Sequence, residues 1–213
     1  RSCPLLPDRC SMNRLLQGDV GSGKTVVAAL LMSAVVEAGF QTALMAPTEI
    51  LAEQHYQSLS ELFEMFPDPQ PAVSLLTGST TGEERERIYQ GLAEGSVRVV
   101  VGTHALIQEA VTFDNLALVV IDEQHRFGVE QRGALRDNGS NPHLPVMTAT
   151  PTPRSLELTV WGHLDVSVLD EMPPGRQPVH TRVLPPRARE RAYIQVKAQV
   201  KKDRQAFTIY PLV

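Results

Sequence analysis

With 213 residues, 42% apolar and 21% charged, the sequence has enough apolar content for a sizeable core and the charge of an ordinary globular protein. No stretch approaches the roughly 18 uninterrupted apolar residues of a membrane span, and no basic-then-apolar leader is recognisable, so we expect a cytoplasmic protein with no membrane partner. The net charge of −4 gives no overall sign of a nucleic-acid partner.

The first predicted element is a phosphate-binding loop between a short strand and an apolar helix. Residues 14–17 are predicted to form the strand and residues 26–36 the helix, with Gly39 as its C-terminal cap. The pattern G-x-x-x-x-G-K-[ST] is fitted by Gly18, Asp19, Val20, Gly21, Ser22, Gly23, Lys24 and Thr25. Such glycines let successive N–H groups face a phosphate, while Lys24 reaches the β- and γ-phosphates and Thr25 ligates Mg²⁺. Strand, loop and helix in this order favour a nucleoside triphosphate site over an ordinary glycine turn.

Short β-branched runs then alternate with longer helical ones. We predict strands at 42–45, 73–76, 97–101, 118–121, 146–148 and 166–169, and helices at 49–66, 83–94, 130–136 and 154–161. The second of these helices is predicted to start with a capping box formed by Thr80 and Glu83. This alternation predicts an α/β fold, a parallel sheet flanked by helices.

An acidic pair follows the apolar strand at 118–121. Asp122 and Glu123 would lie at its C-terminal end, where parallel sheets bind ligands. With a phosphate loop nearby, Asp122 is predicted to hold Mg²⁺ and Glu123 to polarise the attacking water. An exposed acidic loop is the alternative.

Prolines at 173–174 and 185–186 bracket the predicted exit from the first domain. We therefore expect an N-terminal tail at 1–12, an ATP-binding domain at 13–184, and a truncated second domain at 185–213 with a helix at 188–202 and a strand at 205–212. Residues 176–213 carry nine Lys/Arg against two Asp/Glu, for which a solvated helix face is the plain explanation.

Further motifs resemble those of superfamily 2 helicases and translocases. Residues 122–125, Asp-Glu-Gln-His, resemble the second motif of that superfamily, residues 46–54 its motif Ia, and residues 148–150 its motif III. Within the superfamily, the chain from about residue 13 onward is similar to the RecG family of DNA helicases. The segments that carry this similarity are 18–25, 46–49, 102–105, 122–129, 148–154 and 172–176.

The resemblance implies a RecA-like P-loop NTPase fold with helices on both faces of the sheet and a stub of a second RecA-like domain. It also implies ATP and Mg²⁺ as cofactors, with Lys24, Asp122 and Glu123 catalytic. Residues that link the ATP state to nucleic-acid binding would be Gln124, His125, Thr148 and Thr150. For His125 a purely structural role is the alternative.

DNA, branched or duplex, is the partner that the resemblance implies, held mainly through its backbone. The residues concerned would be Pro47, Thr48, Glu49, Thr77, Gly78, Gly102, Thr103 and His104. Turn N–H groups and the start of a helix suit phosphate oxygens, which supports this assignment. Thr48 could instead be a plain helix N-cap, and His104 a packed loop histidine.

Some expected RecG elements are not recognised in the sequence: the upstream adenine-contacting motif, the wedge domain that grips branched DNA, and the second motor domain with its arginine finger. The parent, by resemblance, is a monomeric bacterial DNA helicase acting on stalled forks and recombination junctions in repair and recombination. The chain alone is expected to bind Mg-ATP weakly with little turnover. Alternatives are the motor of a transcription–repair coupling factor, a non-catalytic platform for DNA or a partner, and an RNA helicase.

Overall fold

The computed structural model describes residues 12–66, 70–108, 110–122, 142–149, 165–171, 181 and 183–209. The chain divides into two compact units, Arg1–Pro173 and Pro174–Val213. The strands of the first unit are β1 (Asn13–Gly18), β2 (Gln41–Met45), β3 (Val73–Leu76), β4 (Val99–Gly102), β5 (Leu116–Asp122), β6 (Leu144–Thr148) and β7 (Asp165–Leu169). Its described α-helices are α1 (Lys24–Glu37), α2 (Glu49–Glu64) and α3 (Gly82–Ala93), and a 3₁₀ turn spans His104–Ile107.

The strands form one sheet in the order β3-β4-β2-β5-β6-β1-β7, and the pairs among the described residues are parallel. Two apolar clusters cover its two faces, with α1 and α2 packed on one and α3 on the other. In β5, Leu118 and Val120 face the first cluster, while Val119 and Ile121 face the second. Residues 116–121 of this strand are apolar because both of its faces are buried. The predicted parallel sheet with helices on both faces is confirmed.

The predicted C-terminal cap of α1 is also confirmed. Gly39 has φ +92°, the left-handed conformation that favours glycine. Its N–H donates to Val36 O over 2.9 Å, and the N–H of Phe40 donates to Val35 O over 3.1 Å. These two bonds turn the chain sharply from α1 into β2.

The predicted capping box of α3 is wrong. The helix begins one residue later than that box requires, with Thr81 as an N-cap whose side chain forms no capping hydrogen bond. The Thr80 hydroxyl instead accepts the N–H of Thr77 over 2.9 Å, and so closes the turn that precedes the helix. The threonine is used by the loop rather than by the helix.

Strand β4 begins two residues later than predicted, at Val99. The N–H of Val97 donates to Gly91 O over 2.9 Å, so this residue completes the turn after α3. The helices predicted at 130–136 and 154–161 lie outside the described residues.

The second unit contains a 3₁₀ turn at Pro186–Ala188 and a helix, α4 (Arg189–Val200). The helix predicted at 188–202 is therefore confirmed to within two residues at its end. Residues 205–209 form no strand, contrary to expectation, and residues 210–213 lie outside the described part. A strand needs a hydrogen-bonding neighbour, and this unit has none among its described residues. Across the described chain, no helix combines the length and apolar character needed to span a membrane.

Candidate nucleotide and nucleic-acid site

The predicted site segments lie at the carboxyl ends of the parallel strands. The phosphate loop follows β1, Asp122 ends β5, and Thr148 ends β6, which lies between those two strands. The turns after β3, β4 and β2 lie on the other side of β5. One edge of the sheet thus divides into a side with the predicted nucleotide-binding segments and a side with the three predicted DNA-contacting turns.

The phosphate loop is built by backbone turns and by its own side chains. Gly21 and Gly23 have φ of +83° and +91°, so the loop passes twice through the left-handed region. The carboxylate of Asp19 accepts the N–H of Val20 over 2.7 Å, and the N–H of Ser22 donates to Asp19 O over 3.1 Å. These bonds hold the loop in a curved form.

Lys24 is the first residue of α1, and its ammonium folds back over the loop. Nζ donates to the carbonyl oxygens of Gly18 and Asp19, each over 2.8 Å. Thr25 follows in the first turn of α1 and is half-buried. The Ser22 Oγ is buried and has no hydrogen-bond partner among the described residues. An orphaned hydroxyl inside this loop fits a ligand that brings its own oxygens, as a phosphate does.

Asp122 forms a contact that the sequence did not predict. Its Oδ2 lies 2.6 Å from Nε2 of His55, and the two side chains are 15% and 12% exposed. A signal for His55 was present, because it falls at helical spacing among Ala52, Leu59 and Phe63, the buried residues of α2. A polar residue on such a stripe requires a partner, but the pattern does not say which.

Thr148 is 4% exposed at the end of β6 and pairs in register with Gln17, just before the phosphate loop. It is therefore placed beside the nucleotide segments. Glu123, Gln124, His125 and Thr150 lie outside the described residues.

Thr48 is the N-cap of α2. Its hydroxyl accepts the N–H of Leu51 over 3.3 Å, and Glu49 begins the helix. The Thr48 side chain therefore acts as a helix N-cap, and a DNA contact at this position would use the backbone. Pro47 precedes it and is half-buried.

The turn at Thr77–Gly78 is held by Arg85 of α3. Its Nη2 donates to the carbonyl oxygens of Thr77 and Gly78, each over 3.1 Å, and to that of Thr80 over 3.4 Å. The Thr77 side chain is buried, and a Cβ on Gly78 would stand 2.6 Å from the Glu49 carboxylate. Thr77–Gly78 and the start of α2 therefore adjoin.

The third turn follows β4 and is joined to both neighbours. Gly102 O accepts the N–H of Ala46 over 2.8 Å, and the N–H of Thr103 donates to Leu76 O over 3.4 Å. A Cβ on Gly102 would clash with Leu76 O. Thr103 is buried, whereas His104 is exposed. The three turns that the sequence singled out thus form one continuous surface.

Residues 4–159 match the family model described as DEAD/DEAH box helicase. The chain is 54% identical over 202 residues to the ATP-dependent DNA helicase RecG of Synechocystis sp., and this alignment covers 95% of this chain and 24% of the relative. It is 55% identical over 202 residues to the RecG of Thermotoga maritima, covering 95% of this chain and 26% of the relative. A solved structure of RecG bound to a three-way DNA junction has a TM-score of 0.79 at 51% identity, covering 95% of this chain and 27% of that one. The chain spans about a quarter of the length of these relatives.

Proposed function

The chain belongs to the DEAD/DEAH box helicase family, and from this premise we propose that it is the ATP-binding motor region of a RecG-like DNA helicase that remodels branched DNA. One observation carries the proposal: a phosphate loop after β1 and Asp122 at the end of β5 flank the same strand, β6. The identity to RecG helicases supports the choice within the family. The three-way junction bound by the related RecG supports branched DNA as substrate. Roles in repair and recombination are part of the same proposal.

The residues divide the chemistry of ATP hydrolysis as follows. Loop N–H groups and Lys24 would hold the β- and γ-phosphates, and Lys24, which now donates to two backbone carbonyls, would donate to phosphate oxygens instead. A bound Mg²⁺ would neutralise part of the phosphate charge. Thr25 and Asp122 are the residues we assign to it, because hydroxyl and carboxylate oxygens are the ligands that this cation prefers. Glu123, next in sequence, is the residue we assign to orient the attacking water.

DNA is assigned to the continuous surface of the three turns after β2, β3 and β4. Backbone N–H groups at the start of α2 and around Gly78 suit phosphate oxygens, and the exposed His104 extends this surface after β4. Such contacts position a strand without selecting a sequence. Gln124, His125, Thr148 and Thr150 are the residues that we assign to communication between the two sides. A translocase requires this combination of sequence-independent grip and nucleotide dependence.

The whole protein would supply what this chain does not show. We assign the arginine finger to a second motor domain and the recognition of forks to a wedge domain. The chain alone would then bind Mg-ATP weakly with little turnover, since an arginine finger is worth about 10³–10⁵ in rate. A monomeric parent and a cytoplasmic location are part of the same proposal.

A titration of the chain with a fluorescent, non-hydrolysable ATP analogue, with and without Mg²⁺, tests the nucleotide site. We expect saturable, Mg²⁺-dependent binding that Lys24→Ala abolishes. Arg87→Ala is the matched control, because it removes one positive charge from an exposed position of α3. Equal binding by the wild type and Lys24→Ala would contradict the proposed site.

A further inference from the structure

Helix α2 places a histidine on the face that packs against the sheet. His55 lies three residues after the buried Ala52 and four before the buried Leu59. Its side chain is 12% exposed. Burial of an unpaired polar group is unfavourable, so the imidazole must be satisfied from within the protein.

The partner is Asp122, whose Oδ2 lies 2.6 Å from Nε2 of His55. A carboxylate offers only acceptors, so His55 donates through Nε2–H. Among the described residues, the other oxygen of Asp122 accepts no hydrogen bond. The contact therefore fixes one oxygen of the carboxylate and leaves the second available to a cation.

The sheet order explains why α2 supplies this donor. Strands β2 and β5 are neighbours, with Met45 of β2 beside Ile121 of β5. Helix α2 follows β2 directly and passes the end of β5, where Asp122 lies. His55 thus joins the helix that begins after Thr48 to the strand that carries the predicted metal ligand.

We propose that His55 is a positioning residue for Asp122: its Nε2–H orients the carboxylate and thereby sets the affinity for Mg²⁺ with nucleotide. This inference rests on the proposed function, in which Asp122 holds Mg²⁺. Hydrogen bonds to a ligating carboxylate fix its direction, and loss of such an outer partner lowers metal affinity by about 10–100-fold.

The experiment measures the Mg²⁺ concentration that gives half-maximal binding of the fluorescent ATP analogue. His55→Leu replaces the imidazole with an apolar side chain of moderate size and removes the donor. We expect it to raise that Mg²⁺ concentration about 10–100-fold. His55→Gln places an amide nitrogen near the position of Nε2, and we expect it to recover most of the affinity. An unchanged Mg²⁺ dependence in His55→Leu would overturn the proposal.

The matched control is Gln57→Leu, which introduces the same side chain at an exposed position of α2. We expect wild-type Mg²⁺ dependence from this variant. In an Asp122→Ala background, which removes the acceptor, His55→Leu should cause no further loss, since the two residues act through one contact. Equal additional losses in both backgrounds would show a general structural effect and would overturn the positioning role.

A measurement without nucleotide separates this inference from the proposed function. A long-range ¹H–¹⁵N spectrum resolves the histidine rings, and the His55 signals are those lost in His55→Gln. We expect a hydrogen on Nε2 of His55. Asp122→Ala removes the acceptor and should change the ¹⁵N chemical shifts of that ring, and unchanged shifts would overturn the contact. If the ¹⁵N chemical shifts change but the wild type shows no Mg²⁺-dependent nucleotide binding, the contact between His55 and Asp122 is real but the proposed metal site is wrong. The inferred effect of His55 on Mg²⁺ affinity is then wrong as well.

Discussion

Gly18 lies so close to Ser22 that a Cβ on Gly18 would stand 2.5 Å from Ser22 Oγ. The same Cβ would stand 3.0 Å from Cβ and 3.1 Å from the carbonyl oxygen of Leu169 in β7. The start of the phosphate loop is therefore packed between its own fourth following residue and the neighbouring strand. The absence of a side chain at Gly18 is a packing requirement of the loop.

We predict that Gly18→Ala destabilises the first unit by about 1–3 kcal/mol, because an added methyl in a filled site displaces its neighbours. Displacement of Ser22 should also weaken binding of the fluorescent ATP analogue. Urea unfolding and the titration measure the two effects. Gly82→Ala is the control, since a Cβ on Gly82 meets no described atom within 4 Å. Similar unfolding free energies for the two variants would contradict the packing requirement.

Gln41 is a buried amide whose hydrogen bonds join three segments. It is 1% exposed, its Nε2 donates to Leu92 O over 2.9 Å and Val97 O over 2.8 Å, and its Oε1 accepts the N–H of Asn115 over 2.9 Å. Leu92 O also accepts the N–H of Asp114, so it keeps a partner without Gln41.

We predict that Gln41→Leu costs about 2–4 kcal/mol, since the N–H of Asn115 and the carbonyl of Val97 would each lose a partner at about 1–3 kcal/mol. Urea unfolding followed by circular dichroism measures this loss. Gln57→Leu, at an exposed position of α2, should stay within about 0.5 kcal/mol of the wild type. A loss below about 1 kcal/mol for Gln41→Leu would mean that water replaces the amide.

Local pattern was sufficient where a single segment determines the outcome. The phosphate loop and the cap at Gly39 depend on residues close in sequence, and both are predicted from them. The predicted strand at 42–45 omits Gln41 because polar residues are usually exposed. Gln41 is buried because hydrogen-bond partners 51 and 74 residues away in sequence satisfy its amide.

His55 was missed for the same reason, since its partner is 67 residues away in sequence. The predicted capping box is wrong because the Thr80 hydroxyl accepts the N–H of Thr77 in the preceding turn and does not cap α3. The strand predicted at 205–212 fits an apolar pattern, but a strand also requires a neighbour, and the pattern of one segment carries no information about that neighbour.

Arg85 fixes the turn at Thr77–Gly78 by donating to three carbonyl oxygens. We predict that Arg85→Met loosens this turn and speeds amide hydrogen exchange at Thr77 at least several-fold. The amide of Thr77 donates to Thr80 Oγ1, which belongs to the same turn and would move with it. Nucleotide binding should change little, since β5 separates this turn from the phosphate loop along the same edge of the sheet. Exchange followed by mass spectrometry or NMR measures the effect. Arg87→Met, an exposed arginine on the same helix, is the control, and equal protection of Thr77 in both variants would refute the role of Arg85.

We expect His143 to make the first unit sensitive to acid. Burial lowers the pKa of His143 below its ordinary value of about 6.5. Its Nδ1 accepts the N–H of Met12 over 2.8 Å, which requires an unprotonated nitrogen. The unfolded chain therefore binds a proton more readily than the folded one, and folding loses stability as the pH falls below about 6.5 toward the lowered pKa.

We predict that the unfolding free energy of the wild type falls between pH 7.5 and pH 5.5 by more than that of His143→Asn. The Oδ1 of asparagine lies near the position of Nδ1 and can accept the N–H of Met12 without titrating in this range. At pH 7.5 the substitution should cost about 1 kcal/mol or less, since the hydrogen bond is retained. Urea unfolding at pH 7.5, 6.5 and 5.5 measures both chains. Because the other titrating groups are common to the two proteins, the difference between their slopes isolates His143, and parallel slopes would exclude it as a source of acid sensitivity.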